Sequence, residues 1–224
     1  DKDTKQPLVS LILDRAEQKG TGRLAAIAAL ELGVAAPSIS ESVSARILSS
    51  KKQERLISSK IYKKPEAKHP YIDIVDMKKA LLAAKISAYA QGFDILSAAN
   101  KEFDWDMNLA DIAKNWRAGC IIRARFLDEV AEAFITDDKL VNLIMVPHFS
   151  SILNDSIPSL RRVVKWAITR GIPSPVLSAS LSYFETYTSP NLPANLIQGQ
   201  RDYFGSHGFE RIDKPGFHTN DWNQ

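Results

Sequence analysis

Apolar positions recur at helical spacing along nearly the whole chain. Leu8, Leu11, Ile12 and Ala16 fall three and four residues apart, and Leu24, Ile27, Ala28 and Leu32 repeat the pattern after a short polar break. The break is Gln18-Lys19-Gly20-Thr21-Gly22. It predicts two helices meeting at a corner, with Gly20 as the left-handed residue ending the first and Thr21 as the N-cap of the second. Ser38-Ile39-Ser40-Glu41 then has the form of a capping box. One helix is expected from there to about Ser59, carrying Ile39, Val43, Ile47, Leu48 and Leu56 on one side. Residues 62–70 are polar with two prolines and predict an exposed connection, in which His69 is a solvated loop residue.

A long helix is expected from about Asp73 to Lys101, with Met77, Leu81, Ala84, Ala88 and Gln91 along one line. Its Ala- and Ser-rich second half predicts a central helix surrounded by others. Gly92 within it costs about 1 kcal/mol of helix propensity and is expected to mark a tight approach. Asn108-Leu109-Ala110-Asp111 starts another helix, and the pattern resumes beyond Gly119 from Cys120 to about Ile135. Residues 137–153, 159–170 and 176–187 give three more, punctuated by Pro158 and by Pro173 with Pro175. Alternating runs joined by tight-turn pairs are missing, so no substantial sheet is expected. The fold class is all-α: a multi-helix domain around a long central helix. After a short helix ending near His207, an irregular stretch carries Phe209, Phe217, His218 and Trp222. That many rings predict an extended C-terminal arm that docks on another surface, a second subunit included.

Composition narrows the class without deciding it. At 224 residues, 45% hydrophobic and 25% charged, the chain reads as globular. The formal net charge of +3 comes from 29 basic and 26 acidic residues, with no basic block interleaved with aromatics, which argues against nucleic acid. No run of about 18 apolar residues predicts a membrane span. Asp1-Lys2-Asp3-Thr4-Lys5 does not read as a signal peptide. Cys120 is the one cysteine, so no intrachain disulfide is possible and a reducing, cytoplasmic setting is expected, with Cys120 a small core residue. A chain without an initial Met that opens almost directly on a helix suggests a fragment of something longer.

The corner at residues 18–22 carries the candidate chemistry. A helix N-terminus, the Thr21 hydroxyl and the Lys19 ammonium together could seat a phosphate or carboxylate; the alternative is an ordinary corner with a solvated lysine. Arg46, beside the apolar stripe of the next helix, is either a snorkelling surface residue or an anion ligand. Gly20-Thr21-Gly22-Arg23-Leu24-Ala25 fits a dinucleotide fingerprint, but the segment before it reads as helix rather than strand, which excludes a nucleotide site. His148 is expected to be a satisfied core or cap histidine, and Asp104 and Asp106 solvated loop acids. No His, Cys, Asp or Glu set has metal-ligand spacing, so no metal is expected.

Longer motifs go further. Lys19-Gly20-Thr21-Gly22, Ser44-Ala45-Arg46, Tyr89-Ala90-Gln91-Gly92-Phe93, the run from Trp116 to Arg123 and Leu192-Pro193-Ala194-Asn195-Leu196 occur in that order. With the run from Gln200 to Gly205, then His207 and Phe217-His218-Thr219, the set resembles the C-terminal all-helical domain of the decarboxylating 6-phosphogluconate dehydrogenases. The resemblance covers nearly the whole chain.

It implies an enzyme that oxidises 6-phosphogluconate with NADP, decarboxylates the 3-keto intermediate and releases ribulose 5-phosphate in the pentose phosphate pathway. The NADP-binding N-terminal Rossmann domain, a lysine general base and a glutamate acid would all precede this region, so the chain alone is expected to be inactive. Residues 1–207 would form the substrate-binding and dimerisation domain, and residues 208–224 the arm. Matched to the family's motifs, Lys19, Thr21 and Arg46 would hold the substrate phosphate, joined by Arg201 and His207 from the second subunit of an arm-exchanged homodimer. His218 belongs to the tail motif and would anchor it. Residues 213–219 are one position shorter than the family pattern. The other reading is a helical dimerisation or scaffold protein that kept the fold and lost the pocket. All four positively chargeable phosphate positions carry the expected residue, which favours the enzyme.

Overall fold

Small residues in mid-chain allow one helix to be enclosed at close range. The computed structural model describes residues 1–65 and 71–222, so His69 and the end of the predicted connection at 62–70 lie outside the described residues. In chain order the helices are α1 (Thr21–Glu31), α2 (Pro37–Ser50), α3 (Lys52–Ile61), α4 (Ile74–Phe103), α5 (Leu109–Asn115), α6 (Leu127–Thr136), α7 (Pro147–Ile168), α8 (Pro175–Tyr187) and α9 (Ala194–Gly205). Two short strands follow, β1 (Phe209–Glu210) and β2 (Phe217–His218), antiparallel with Phe209 opposite His218. The chain divides into two compact units, Asp1–Phe184 and Glu185–Gln224.

The long central helix is α4. The Asp73 carboxylate caps it, accepting from the Val75 N–H at 2.9 Å. Of the predicted line, Ala84 and Gln91 are buried but Met77 and Leu81 are exposed; Ala80, Ala83, Ser87 and Ala90 are buried alongside. Ala80, Ala83 and Ala90 join Phe126, Leu127, Phe149, Leu153 and Leu160 in one core, and α7 is the neighbour α4 meets most extensively. Polar pairs close the α4–α7 seam. Asp76 accepts from Arg162 Nε at 2.9 Å and Ser159 Oγ at 2.8 Å, and Lys79 meets Asp155 at 2.8 Å. The Arg162 guanidinium, then the Ser159 hydroxyl, pull the Asp76 carboxyl down to about 2.

Several sequence expectations fail for identifiable reasons. Leu8 to Ala16 do not form a helix: only a 3-10 turn spans Leu8–Leu11, and its apolar residues are exposed. A short amphipathic segment without a surface to bury its stripe does not meet the cost of helix nucleation. Gly20 does adopt the left-handed conformation, at φ 100°, but it is the N-cap of α1, and Thr21 is the first helical residue. The capping box is displaced too. Helix α2 begins at Pro37, whose fixed φ suits the first helical position, which leaves Ser38 inside the helix and buried. The helix also breaks at Lys51 (φ −81°, ψ 48°) instead of running to Ser59.

Around Gly92 a Cβ would meet nothing within 4 Å, so no neighbour explains this glycine by close approach. Residues 116–126 form turns before α6, leaving Cys120 half-exposed rather than in the core. Of the predicted segment at 137–153, residues up to Val146 form a loop and a 3-10 turn (Leu143–Met145), while residues 147–153 are helical, as the start of α7. Pro158 lies inside α7 instead of ending it, on the helix's exposed side.

Candidate functional site

The segment before α1 is not helical, and its backbone donors and acceptors are met by the α2–α3 corner instead. The Ala16 N–H donates to Ser49 Oγ at 2.9 Å, and Arg46 Nη1 donates to the Glu17 carbonyl at 3.2 Å. Arg55 Nη2 reaches both the Asp14 and Ser49 carbonyls at 3.0 Å. The Asp14 side chain takes Lys52 at 2.5 Å and Arg55 Nη1 at 2.9 Å. Hydrogen bonds from Arg55 and then Lys52 hold that carboxyl well below the usual carboxylate range. Residues 14–17 are therefore a strap lashed to α2 and α3, leading directly into Lys19.

Gly20 then turns the chain, and its carbonyl accepts the Leu24 N–H at 2.9 Å. No side chain caps α1, so its first N–H groups remain available to a ligand. Gly22 lies where α1 crosses α2; a Cβ there would come within 3.2 Å of Val43 Cγ2. Beside the strap is an open cavity of about 480 Å³ lined by Arg15, Ala16, Glu17, Gln18, Arg46 and Ile47 among others. Lys19 and Thr21 are exposed. The cavity can present the guanidinium groups of Arg15 and Arg46 to an anion; Lys19, Thr21 and the first N–H groups of α1 follow directly along the chain but are not among its lining residues.

The other two predicted residues belong to the second unit. Arg201 is exposed on α9 and donates to Gln198 Oε1 at 3.1 Å. His207 is exposed just beyond α9, its Nε2 2.9 Å from where a Cβ on Gly205 would stand. Between them is a residue the sequence reading missed. Asp202 is 1% exposed, and its carboxylate accepts from Gly208 N (2.8 Å), Thr219 Oγ1 (2.8 Å), Asn220 N (3.0 Å) and Trp222 Nε1 (2.8 Å). Burial pushes its pKa up, but these four donors outweigh that and hold it at about 2. The arm thus folds back on α9, with Trp222 edge-on to Tyr203 at 6.3 Å. Nothing in the sequence signals a clamp whose donors are mostly backbone or distant in the chain. Arg15 was missed as well, since no periodicity or motif marks it.

The remaining candidates separate from the site. His148 is exposed on the first turn of α7, its ring 5.2 Å from that of Phe149, so it is neither a core nor a cap histidine. Asp104 and Asp106 are exposed turn formers, both at φ 51°. His218 Nε2 lies 3.2 Å from the Pro215 carbonyl, within the arm. Among the described residues no three His, Cys, Asp or Glu side chains converge as a metal site would require. No described helix is long and apolar enough to cross a membrane.

Fold and site together define an all-α domain whose first helix starts without a side-chain cap, just after an exposed lysine. Comparison with known proteins narrows this. Residues 1–222 match the family model for the C-terminal domain of 6-phosphogluconate dehydrogenase, and the chain belongs to that family. It is 44% identical over 227 residues to the NADP(+)-dependent, decarboxylating 6-phosphogluconate dehydrogenase of Bacillus subtilis (strain 168), covering 99% of this chain and 48% of that protein. With the decarboxylating 6-phosphogluconate dehydrogenase of Escherichia coli (strain K12) it shares 47% identity over 218 residues, 95% of this chain and 46% of that one. A solved structure of the Plasmodium falciparum enzyme, studied apo, with NADP+ and with 6-phosphogluconate, superposes with a TM-score of 0.91 at 41% identity, covering 99% of this chain and 49% of the other. The chain spans about half the length of the curated relatives it matches.

Proposed function

We propose that this chain is the substrate-phosphate and dimerisation portion of a cytoplasmic NADP-dependent, decarboxylating 6-phosphogluconate dehydrogenase, with residues 1–207 as the binding domain and 208–224 as the arm. The observation that carries the reading is the cavity lined by Arg46 and by the strap leading to Lys19 and the uncapped start of α1, in a chain that matches this family over residues 1–222. Lys19, Thr21 and Arg46 grip the phosphate. Charge-assisted bonds from an ammonium and a guanidinium fix its position, and the N–H groups of α1 add the favourable end of the helix dipole. Anchoring one end of a long, flexible sugar acid in this way restricts where its reacting carbons can lie.

Arg201 and His207 complete the seat from a second copy of the chain. Exposed apolar side chains on α9 and the arm support docking on such a copy: Leu196 and Phe204 on α9 are each 75% exposed, and Ile212 and Phe217 on the arm are exposed too.

NADP itself does not fit the residues present. Gly20 to Ala25 has fingerprint spacing, yet what precedes it is the lashed strap and not a strand, and Gly22 serves the crossing of α1 over α2. The cofactor site and the acid–base groups belong to the rest of the enzyme.

Calorimetric titration of the full-length enzyme with 6-phosphogluconate, gluconate and inorganic phosphate tests the reading, with Arg46→Ala and Arg201→Ala alongside. Binding of 6-phosphogluconate, no binding of gluconate, and loss of binding in both variants supports it. Equal binding of gluconate and 6-phosphogluconate overturns the phosphate seat.

A further inference from the structure

We infer that Arg15 is an additional cation of this seat and that it sets the seat's preference for a dianionic phosphate. The inference rests on the function proposed above. Arg15 and Arg46 line the same cavity. Arg46 spends one donor on the Glu17 carbonyl, and Arg15 is exposed, with no side-chain partner among the described residues. Of the acids nearby, Asp14 is taken by Lys52 and Arg55, while Glu17, which lines the same cavity and forms no ion pair among the described residues, offsets one of its positive charges. Lys19 adds a third positive charge next along the chain.

The backbone around Arg15 is also held on both sides. Its predecessor's carbonyl accepts from Arg55, and its successor's N–H donates to Ser49. The Cα of Arg15 is thus fixed at the cavity while its guanidinium remains free to meet a ligand. Two guanidinium groups and an ammonium against the single carboxylate of Glu17 leave about two positive charges, which favour a doubly charged oxyanion over a singly charged one. A carboxylate or a phosphate monoanion leaves part of that charge uncompensated.

Steady-state kinetics of the full-length enzyme, comparing Arg15→Ala, Arg15→Lys and Arg46→Ala, tests the assignment. Loss of one charge-assisted contact is expected to raise KM for 6-phosphogluconate about tenfold in Arg15→Ala at pH 8. The KM for NADP is expected to stay unchanged, and Arg15→Lys to recover part of the loss. Because the second pKa of a phosphate monoester is about 6, the increase should shrink at pH 5.5. If Arg46→Ala raises KM and Arg15→Ala stays within about twofold of the parent, the role of Arg15 is overturned while the seat stands. A rise in Arg15→Ala that is the same at both pH values also overturns it, because it marks a structural effect. If neither substitution moves KM, the seat itself is misassigned and this inference falls with it.

Discussion

Gln91 and Ser38 are joined by two hydrogen bonds in a region fully sealed from solvent. Gln91 Oε1 accepts the Ser38 N–H and Gln91 Nε2 donates to Ser38 Oγ, both at 2.9 Å. The Ser38 hydroxyl in turn lies 2.9 Å from Ser180 Oγ on α8. A side chain from the middle of α4 therefore satisfies a free donor at the start of α2, which a local capping residue usually does. Replacing Gln91 by Leu keeps the volume roughly constant and strands the Ser38 N–H, while the Ser38 hydroxyl keeps Ser180 Oγ. The expected cost is about 2 kcal/mol, read as a fall in the urea midpoint with the slope unchanged.

The Asp202 clamp gives the arm an acid limit. Its folded pKa of about 2 lies below the ordinary carboxylate value, so its contribution is complete above about pH 4 and fades as pH falls toward 2. The indole N–H resonance of Trp222, which donates to this carboxylate, should hold its position down to about pH 4 and shift below it. In Asp202→Asn one oxygen becomes a second donor facing Asn220 and Trp222, so the shifted resonance is expected already at pH 7.

Gly205 keeps room for a ring. A methyl group there would stand 2.9 Å from His207 Nε2, and the imidazole can swing away at little cost to stability. Gly205→Ala is therefore expected to change the melting temperature by only about 1–2 °C while raising KM for 6-phosphogluconate in the same direction as His207→Ala. An unchanged KM would argue that His207 does not reach the substrate.

Gly20 is a conformational requirement. At φ 100° and ψ −20° an alanine is strained by about 1–2 kcal/mol. Gly20→Ala should lower stability by that amount and also weaken phosphate binding by re-aiming Lys19. Calorimetry on a variant that remains folded separates the two effects.

Long elements were legible in the sequence because they are strongly periodic or clearly capped. Asp73 and Asn108 mark the starts of α4 and α5, and each side chain makes the cap bond its residue type implies. The errors cluster where tertiary bonds replaced local ones. Residues 8–16 have helical spacing but no partner surface, and Ser49, Arg46 and Arg55 supply the backbone's bonds from 29 to 41 residues away. Ser38 looked like a cap because serine usually is one, yet Pro37 takes the first helical position. Within the candidate site, Lys19, Thr21 and Arg46 stood in recognisable motifs. Arg15, Gln18 and Asp202 gain their interest only from what the folded chain brings beside them. In Gln18 this is the buried Oε1, which finds no donor among the described residues.

Arg201 immediately precedes Asp202, and His207 immediately precedes Gly208, whose N–H that carboxylate accepts. The two groups are thus mounted one residue from either end of a single hydrogen bond, across the last turn of α9. Their spacing is set before the arm meets anything. In the proposed dimer a second copy would meet two backbone mounts at a fixed separation, with the exposed side chains they carry left to adjust to the socket.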